Sequence, residues 1–135
     1  PFAPDLDLDE LRVVPTLTLS ETDDLLLPLR WVALLEGGVD TGLAVTSGVH
    51  DAAGVAKALL AGADVAMMAS ALLRHGPGLV ATVLADLRSW MAEREYDSVD
   101  QLRGSVSARG VADPAAYIRS NYLQALTSYA STFPT

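Results

Sequence analysis

Two short apolar runs, residues 43–46 and 65–68, flank an alanine-rich segment of helical period at residues 54–61. Short apolar runs on either side of a helix are the pattern of a βαβ unit, in which the two strands lie parallel. The stretch from residue 42 to residue 77 therefore predicts an α/β fold organised around one such unit.

Each predicted strand ends in a turn of small residues. Ser47 and Gly48 follow the first strand, and Ala69, Ser70 and Ala71 follow the second. Small residues let backbone N–H groups approach a ligand, and the start of a following helix favours an anion. The hydroxyl groups of Ser70 and of either Thr46 or Ser47 would add hydrogen bonds. The two turns predict a phosphate-binding cup, although close packing of the helices would also explain the small residues.

Composition narrows the class of protein. The chain has 135 residues, a net charge of −8 and a hydrophobic fraction of 50%, which indicate one folded domain. Lys57 is the only lysine, so no basic face for nucleic acid is expected. The absence of cysteine excludes disulfides and thiolate chemistry and agrees with a cytoplasmic location. No apolar run approaches the roughly 20 residues that cross a bilayer, so no membrane partner is expected.

The segment before the βα units is harder to assign. Prolines and alternating Asp and Leu predict an extended loop at residues 1–9, and residues 13–19 alternate as a strand does. We expect this strand to form a hairpin with residues 25–27. A helix capped by Ser20 is the alternative, which Pro28 would cut short.

Further helices follow from caps and helical period. Asp51 is a suitable N-cap for the crossover helix, and Ser98 for a short helix near the C-terminus. Asp113 followed by Pro114 predicts the start of a last helix. Apart from the crossover helix, the predicted helices cover residues 28–36, 77–96, 98–103 and 114–128.

The sequence shows no recognisable catalytic constellation. His50 and His75 each follow a small-residue turn, where a histidine is more typical of a surface or cap position than of a general base. The motifs HExxH and GxSxG are absent, and no carboxylates have metal-ligand spacing. We therefore expect neither a metal site nor catalytic residues in this chain.

The sequence TSGVH at residues 46–50, followed by KALLAGAD and MMASALLRHGP, resembles the last two βα units of the dihydroorotate dehydrogenase family. These proteins are FMN-binding (β/α)8 TIM barrels. Two later segments, WMAEREYDSVDQLRGSVS and DPAAYIRSNYLQAL, resemble the C-terminal region of the family. The resemblance implies an α/β fold in which residues 1–135 form one partial domain, the C-terminal portion of a TIM barrel. Its parts would be a loop and hairpin (1–27), the βα units with strands 7 and 8 (28–96), and a helical tail (97–135).

The resemblance also implies a function. It indicates an FMN-dependent oxidoreductase of pyrimidine metabolism, a flavoprotein in which FMN takes a hydride from a small dihydropyrimidine-like substrate. Ser47 and Gly48 match the glycine pair after strand 7, and Ala69 and Ser70 match the Gly-Thr pair after strand 8. With Thr46, they are the implied FMN-phosphate-binding residues. Ser47 and Ala69 depart from glycine, so a positive φ at either position would strain the loop.

Catalytic residues are expected upstream of this sequence. A partial barrel would expose sheet edges, so we expect this chain to associate with the missing half or with itself. Two alternatives remain: a non-catalytic phosphate-binding or assembly module, and another phosphate-binding barrel such as an isomerase or a synthase.

Overall fold

The computed structural model describes residues 2–118. Within this range two strands and a 3-10 helix come first, and helices with two further strands follow. The order is β1 (Phe2–Asp7), β2 (Arg12–Leu17), the 3-10 helix (Thr22–Leu25), α1 (Leu26–Leu35), β3 (Ala44–Val45), α2 (Ala52–Ala61), β4 (Val65–Ala66), α3 (Ser70–His75), α4 (Leu79–Glu93), α5 (Val99–Leu102) and α6 (Ala115–Ile118). No helix in residues 2–118 has the length and apolarity needed to span a bilayer.

The prediction that the chain forms a portion of a TIM barrel is wrong. The four strands in residues 2–118 form two separate sheets of two strands each, β1 with β2 and β3 with β4. A barrel requires every strand to be hydrogen-bonded on both sides. In the described residues β3 and β4 pair only with each other, over two residues each, so no barrel closes. The fold is a small mixed α/β arrangement.

The central βαβ unit is confirmed. β3 and β4 pair in parallel, and α2 connects them. Both strands are shorter than expected. α2 begins where the sequence predicts, because Asp51 Oδ1 accepts the N–H of Gly54 at 2.8 Å and caps the helix. It ends at Gly62, whose φ of 112° only glycine adopts readily.

The hairpin partner of β2 was predicted wrongly. β2 pairs antiparallel with β1, in the segment expected to be an extended loop, and Leu6 lies opposite Val13. Residues 25–27 are helical instead, since Leu25 ends the 3-10 helix and α1 begins at Leu26. The prolines do not prevent this pairing, because Pro4 and Pro15 are cross-strand partners in an isolated ribbon in which both strands are edges. Residues 25–27 are therefore helical and do not form the predicted partner strand.

The remaining helices follow the expected pattern with shifted ends. α1 begins two residues before Pro28, α4 is shorter than the predicted 77–96, and Ser98 caps α5 by accepting the N–H of Gln101 at 3.1 Å. Asp113 accepts the N–H of Ala115 at 3.0 Å, at the start of α6. The predicted extension of this last helix to residue 128 lies outside the described residues.

The buried core has two parts that share α2. One part lies between α1, α2 and the parallel sheet, where Ala33 and Ala58 are completely buried. The other lies between α2, α4 and α5, around Leu59, Leu87 and Leu102. Alanine on α2 lets its neighbours approach closely on both sides. This packing places α2 against β3 and β4, and the two small-residue turns lie side by side.

Candidate functional site

A cleft of about 360 Å³ lies where the chain leaves β3 and β4. The carboxyl ends of parallel strands meet at one sheet edge, which is the usual position of ligand sites in α/β proteins. All five residues that the sequence analysis selected are among the nine that line it. The lining consists of Ser20, Thr46, Ser47, Gly48, Val49, Met67, Met68, Ala69 and Ser70.

The first turn has an unusual backbone. Ser47 and Gly48 both have positive φ, 72° and 73°. Glycine is required at position 48 for its positive φ and also for lack of space. A Cβ at this position would lie 2.3 Å from the backbone nitrogen of Leu25. Ser47 adopts the left-handed conformation without being glycine, which costs an L-residue about 1–2 kcal/mol. The strain expected from the missing glycine therefore occurs at Ser47.

The second turn carries no such strain. Ala69 has φ −105° and ψ −51°, within the right-handed region that alanine adopts readily. Alanine in place of glycine at this position therefore does not disturb the loop. Ser70 follows as the first residue of α3 and presents a half-buried hydroxyl to the cleft.

Ser20 joins the two turns, although it is not among the site residues expected from the sequence. Its side chain is buried, with 4% exposure. The Ser20 N–H and the Ser20 hydroxyl both donate to Ser70 Oγ, each at 2.9 Å. The Ser20 oxygen accepts the N–H of Gly48 at 3.2 Å. Ser20 is 28 and 50 residues away from these partners, and no local pattern in the sequence indicates such contacts.

Charge around the cleft is compatible with an anion. Within the described part of this acidic chain, no aspartate or glutamate lines the cleft. Glu21, the residue after Ser20, is hydrogen-bonded by Arg74 of α3, with Nη1 to Oε2 at 3.1 Å. The Arg74 guanidinium lowers the pKa of the Glu21 carboxyl, and Glu21 in turn raises the pKa of Arg74. The carboxylate closest in sequence to the cleft is thus neutralised by a cation.

The two histidines lie in different places. His50 follows the first turn, and its Nε2 lies 3.4 Å from the hydroxyl oxygen of Ser20. His75 ends α3 and is exposed. Across residues 2–118, no group of three or more His, Cys, Asp or Glu side chains could hold a metal ion.

Comparison with known proteins does not assign the chain to a family. No protein-family model matches the sequence, and a search of curated proteins finds no match. The resemblance to the dihydroorotate dehydrogenase family therefore stays a prediction that depends on the quoted segments.

Proposed function

We propose that the cleft binds the phosphate of FMN and that this chain supplies the FMN-phosphate-binding part of a flavin-dependent oxidoreductase of the dihydroorotate dehydrogenase type. The observation that carries the proposal is the meeting of all five predicted residues in one cleft. They come from two turns that are more than 20 residues apart in the sequence.

The chemistry of the lining fits a phosphate monoester. A phosphate needs several converging donors and no competing negative charge. Thr46, Ser47 and Ser70 contribute hydroxyl groups, and no carboxylate stands among the nine lining residues. Val49 and the two methionines of the lining suit the carbon portion of a phosphorylated ligand. A volume of about 360 Å³ lies within the range of roughly 300–1,000 Å³ typical of small-molecule sites.

The hydrogen bonds show which donors remain for a ligand. The N–H of Gly48 already donates to Ser20 Oγ, so Gly48 shapes the turn and holds Ser20 in place. The hydroxyls of Thr46 and Ser47 and the proton of Ser70 are then the groups that would hold the phosphate. The role we propose for the chain is to bind and orient the cofactor. FMN, when bound, would supply the ability to accept a hydride from a dihydropyrimidine-like substrate.

The test is a titration of the chain with FMN and with riboflavin, followed by flavin fluorescence. Riboflavin lacks the phosphate, so we expect FMN to bind at least about tenfold more tightly, since about 1.4 kcal/mol changes affinity by that factor. Inorganic phosphate should compete with FMN. Equal affinity for the two flavins, or no FMN binding by the wild-type chain, would refute the proposal.

A charge reversal within the cleft sharpens the test. Ser70→Asp places a carboxylate beside the phosphate, and we expect FMN affinity to fall by about tenfold or more because like charges repel in a partly desolvated site. Ser89→Asp is the matched control, because Ser89 is exposed on α4 and does not line the cleft. It makes the same substitution and should leave affinity unchanged. An equal loss in both variants would contradict binding at the cleft.

A second candidate function is assembly, which the surface of the hairpin favours. Leu6 and Val13 are cross-strand partners, and each is 65% exposed. Leu17 lies on the same face, with 63% exposure, and the partners Pro4 and Pro15 lie between them. Apolar patches of this kind on a folded chain mark interaction surfaces. We propose that this face mediates self-association of the chain.

Light scattering over a range of protein concentrations tests this second candidate. We expect the average mass to rise with concentration for the wild-type chain. In the double variant Leu6→Lys/Val13→Glu it should stay at that of a monomer, since the two new charges pair across the strands and preserve the hairpin. A wild-type chain that remains monomeric at several hundred micromolar would exclude the assembly role.

A further inference from the structure

The hydroxyl of Ser20 has three polar neighbours but only one proton to donate. A serine hydroxyl donates one hydrogen bond and accepts up to two. Ser20 donates to Ser70 Oγ and accepts the N–H of Gly48. Its third neighbour is His50 Nε2 at 3.4 Å. Because the Ser20 proton is already used, the contact with His50 is attractive only when Nε2 carries a hydrogen, as in the imidazolium and in one of the two neutral tautomers.

The hydroxyl of Ser70 is left with a free donor. Ser70 Oγ accepts both the N–H and the O–H of Ser20 at 2.9 Å, which uses both of its lone pairs. Its own proton must therefore point away from Ser20. Since Ser70 lines the cleft, this proton is available to an anion bound there. The contacts form a chain of hydrogen bonds from His50 through Ser20 to Ser70 and into the cleft.

We propose that His50 is a positioning residue of the phosphate site and that protonation of His50 tightens anion binding through Ser20 and Ser70. The proposal rests on the function proposed above. A protonated imidazole forms a stronger, charge-assisted hydrogen bond to Ser20 than a neutral one does. Hydrogen bonds in a chain polarise one another, so the stronger first bond makes Ser70 a better donor to the anion. The positive charge of His50 also attracts the anion directly.

The charged groups near His50 are each held by a hydrogen bond or an ion pair. Asp51, on the same turn, is held by the N–H of Gly54, and Glu21 is paired with Arg74. Asp24, on the 3-10 helix, accepts the N–H of Glu21. Histidine is the side chain that most often serves as a proton-dependent switch near neutral pH. His50 is the histidine of this set and lies within reach of Ser20, so the experiment varies pH and replaces His50.

The experiment measures FMN dissociation constants between pH 5.5 and 8.0 for the wild-type chain and for His50→Gln. Glutamine keeps a donor amide near Ser20 but cannot take up a proton. The phosphate of FMN loses its second proton near pH 6 in both experiments, so the two proteins are compared with each other at each pH. We expect the wild-type chain to bind roughly three- to tenfold more tightly than His50→Gln at pH 5.5, with a ratio near one at pH 8.0.

Two further variants separate the relay from other causes. His75→Gln removes the other histidine and should keep the wild-type pH profile. Ser20→Ala breaks the chain of hydrogen bonds while keeping His50. The ratio of the His50→Gln and Ser20→Ala dissociation constants should therefore change less with pH than the ratio of the His50→Gln and wild-type constants. A ratio that does not change with pH, or a His75→Gln profile like that of His50→Gln, overturns the inference while FMN binding stands. A wild-type chain that does not bind FMN at any pH overturns the proposed function itself.

Discussion

Gly48 is a position where a single added methyl group would collide with the backbone of another segment. Replacement by alanine places a Cβ 2.3 Å from the nitrogen and 2.7 Å from the Cβ of Leu25, which is buried. At a φ of 73° an L-residue also loses about 1–2 kcal/mol. Forcing a buried neighbour to move typically costs about 1–3 kcal/mol. Alanine restricts the unfolded chain more than glycine does, and this offsets about 0.4–1 kcal/mol of the destabilisation.

The expected net destabilisation by Gly48→Ala is about 2–4 kcal/mol, a large part of the roughly 5–15 kcal/mol that holds a typical domain folded. Urea unfolding followed by circular dichroism measures it. With a urea dependence of about 2 kcal/mol per molar, the midpoint should fall by about 1–2 M.

Two matched glycines separate the causes. Gly104 has nearly the same φ, 72°, but its added Cβ would come no closer than 3.4 Å to the flexible side chain of Glu36. Gly104→Ala should therefore show only the backbone cost, a loss of about 1 kcal/mol or less after the gain in the unfolded state. Gly78 has an ordinary φ of −60° and open space around it, so Gly78→Ala should change stability by less than about 0.5 kcal/mol. If Gly48→Ala is no more destabilising than Gly104→Ala, the contact with Leu25 does not constrain this turn and the reasoning is refuted.

Two further predictions concern the ends of helices next to the cleft. Asp51→Ala should lower the free energy of unfolding by about 1 kcal/mol because Gly54 loses its cap acceptor, and Asp51→Asn should recover most of it; urea midpoints that are equal for the two variants would contradict a capping role. Because Arg74 lowers the pKa of Glu21, their pair stabilises the fold above the ordinary pKa of glutamate, and this contribution is lost as pH falls through the lowered pKa. The difference in unfolding midpoint between wild type and Arg74→Gln should therefore be small at pH 7, as for exposed pairs generally, and should decrease in acid and in 1 M salt. A difference that is unchanged under both conditions would show that Arg74 acts by packing.

Local signals predicted the elements that lie close together in the sequence. The βαβ unit followed from two apolar runs around an alanine-rich helix. The caps Asp51 and Ser98 followed from residue types that satisfy the free N–H groups at helix starts. The five candidate site residues also followed from local pattern, because the carboxyl ends of adjacent parallel strands meet at one edge whatever surrounds them. Caps and parallel strand ends depend on only a few neighbouring residues.

The N-terminal hairpin shows where local signals fail. Residues 25–27 have the apolar composition of a short strand, and yet they are helical. β1 contains two aspartates and a proline, which weaken its strand signal, and pairing with β2 determines its conformation. Strand pairing is decided by the whole set of competing partners, and a β-propensity is only a weak guide to its outcome. The same holds for the expected barrel, whose closure depends on neighbours that a two-strand pattern does not specify.

The candidate site has some features that local sequence determines and others that only the tertiary structure determines. Thr46, Ser47, Gly48, Ala69 and Ser70 could be assigned to the strand ends by sequence, because neighbouring residues determine where short strands stop and helices begin. The positive φ at Ser47, the close contact of Gly48 with Leu25 and the position of Ser20 could not. They arise when the segment after β2 packs against two turns 28 and 50 residues further along the chain. Contacts over such separations form only when the folded core brings those segments together, so no local pattern records them.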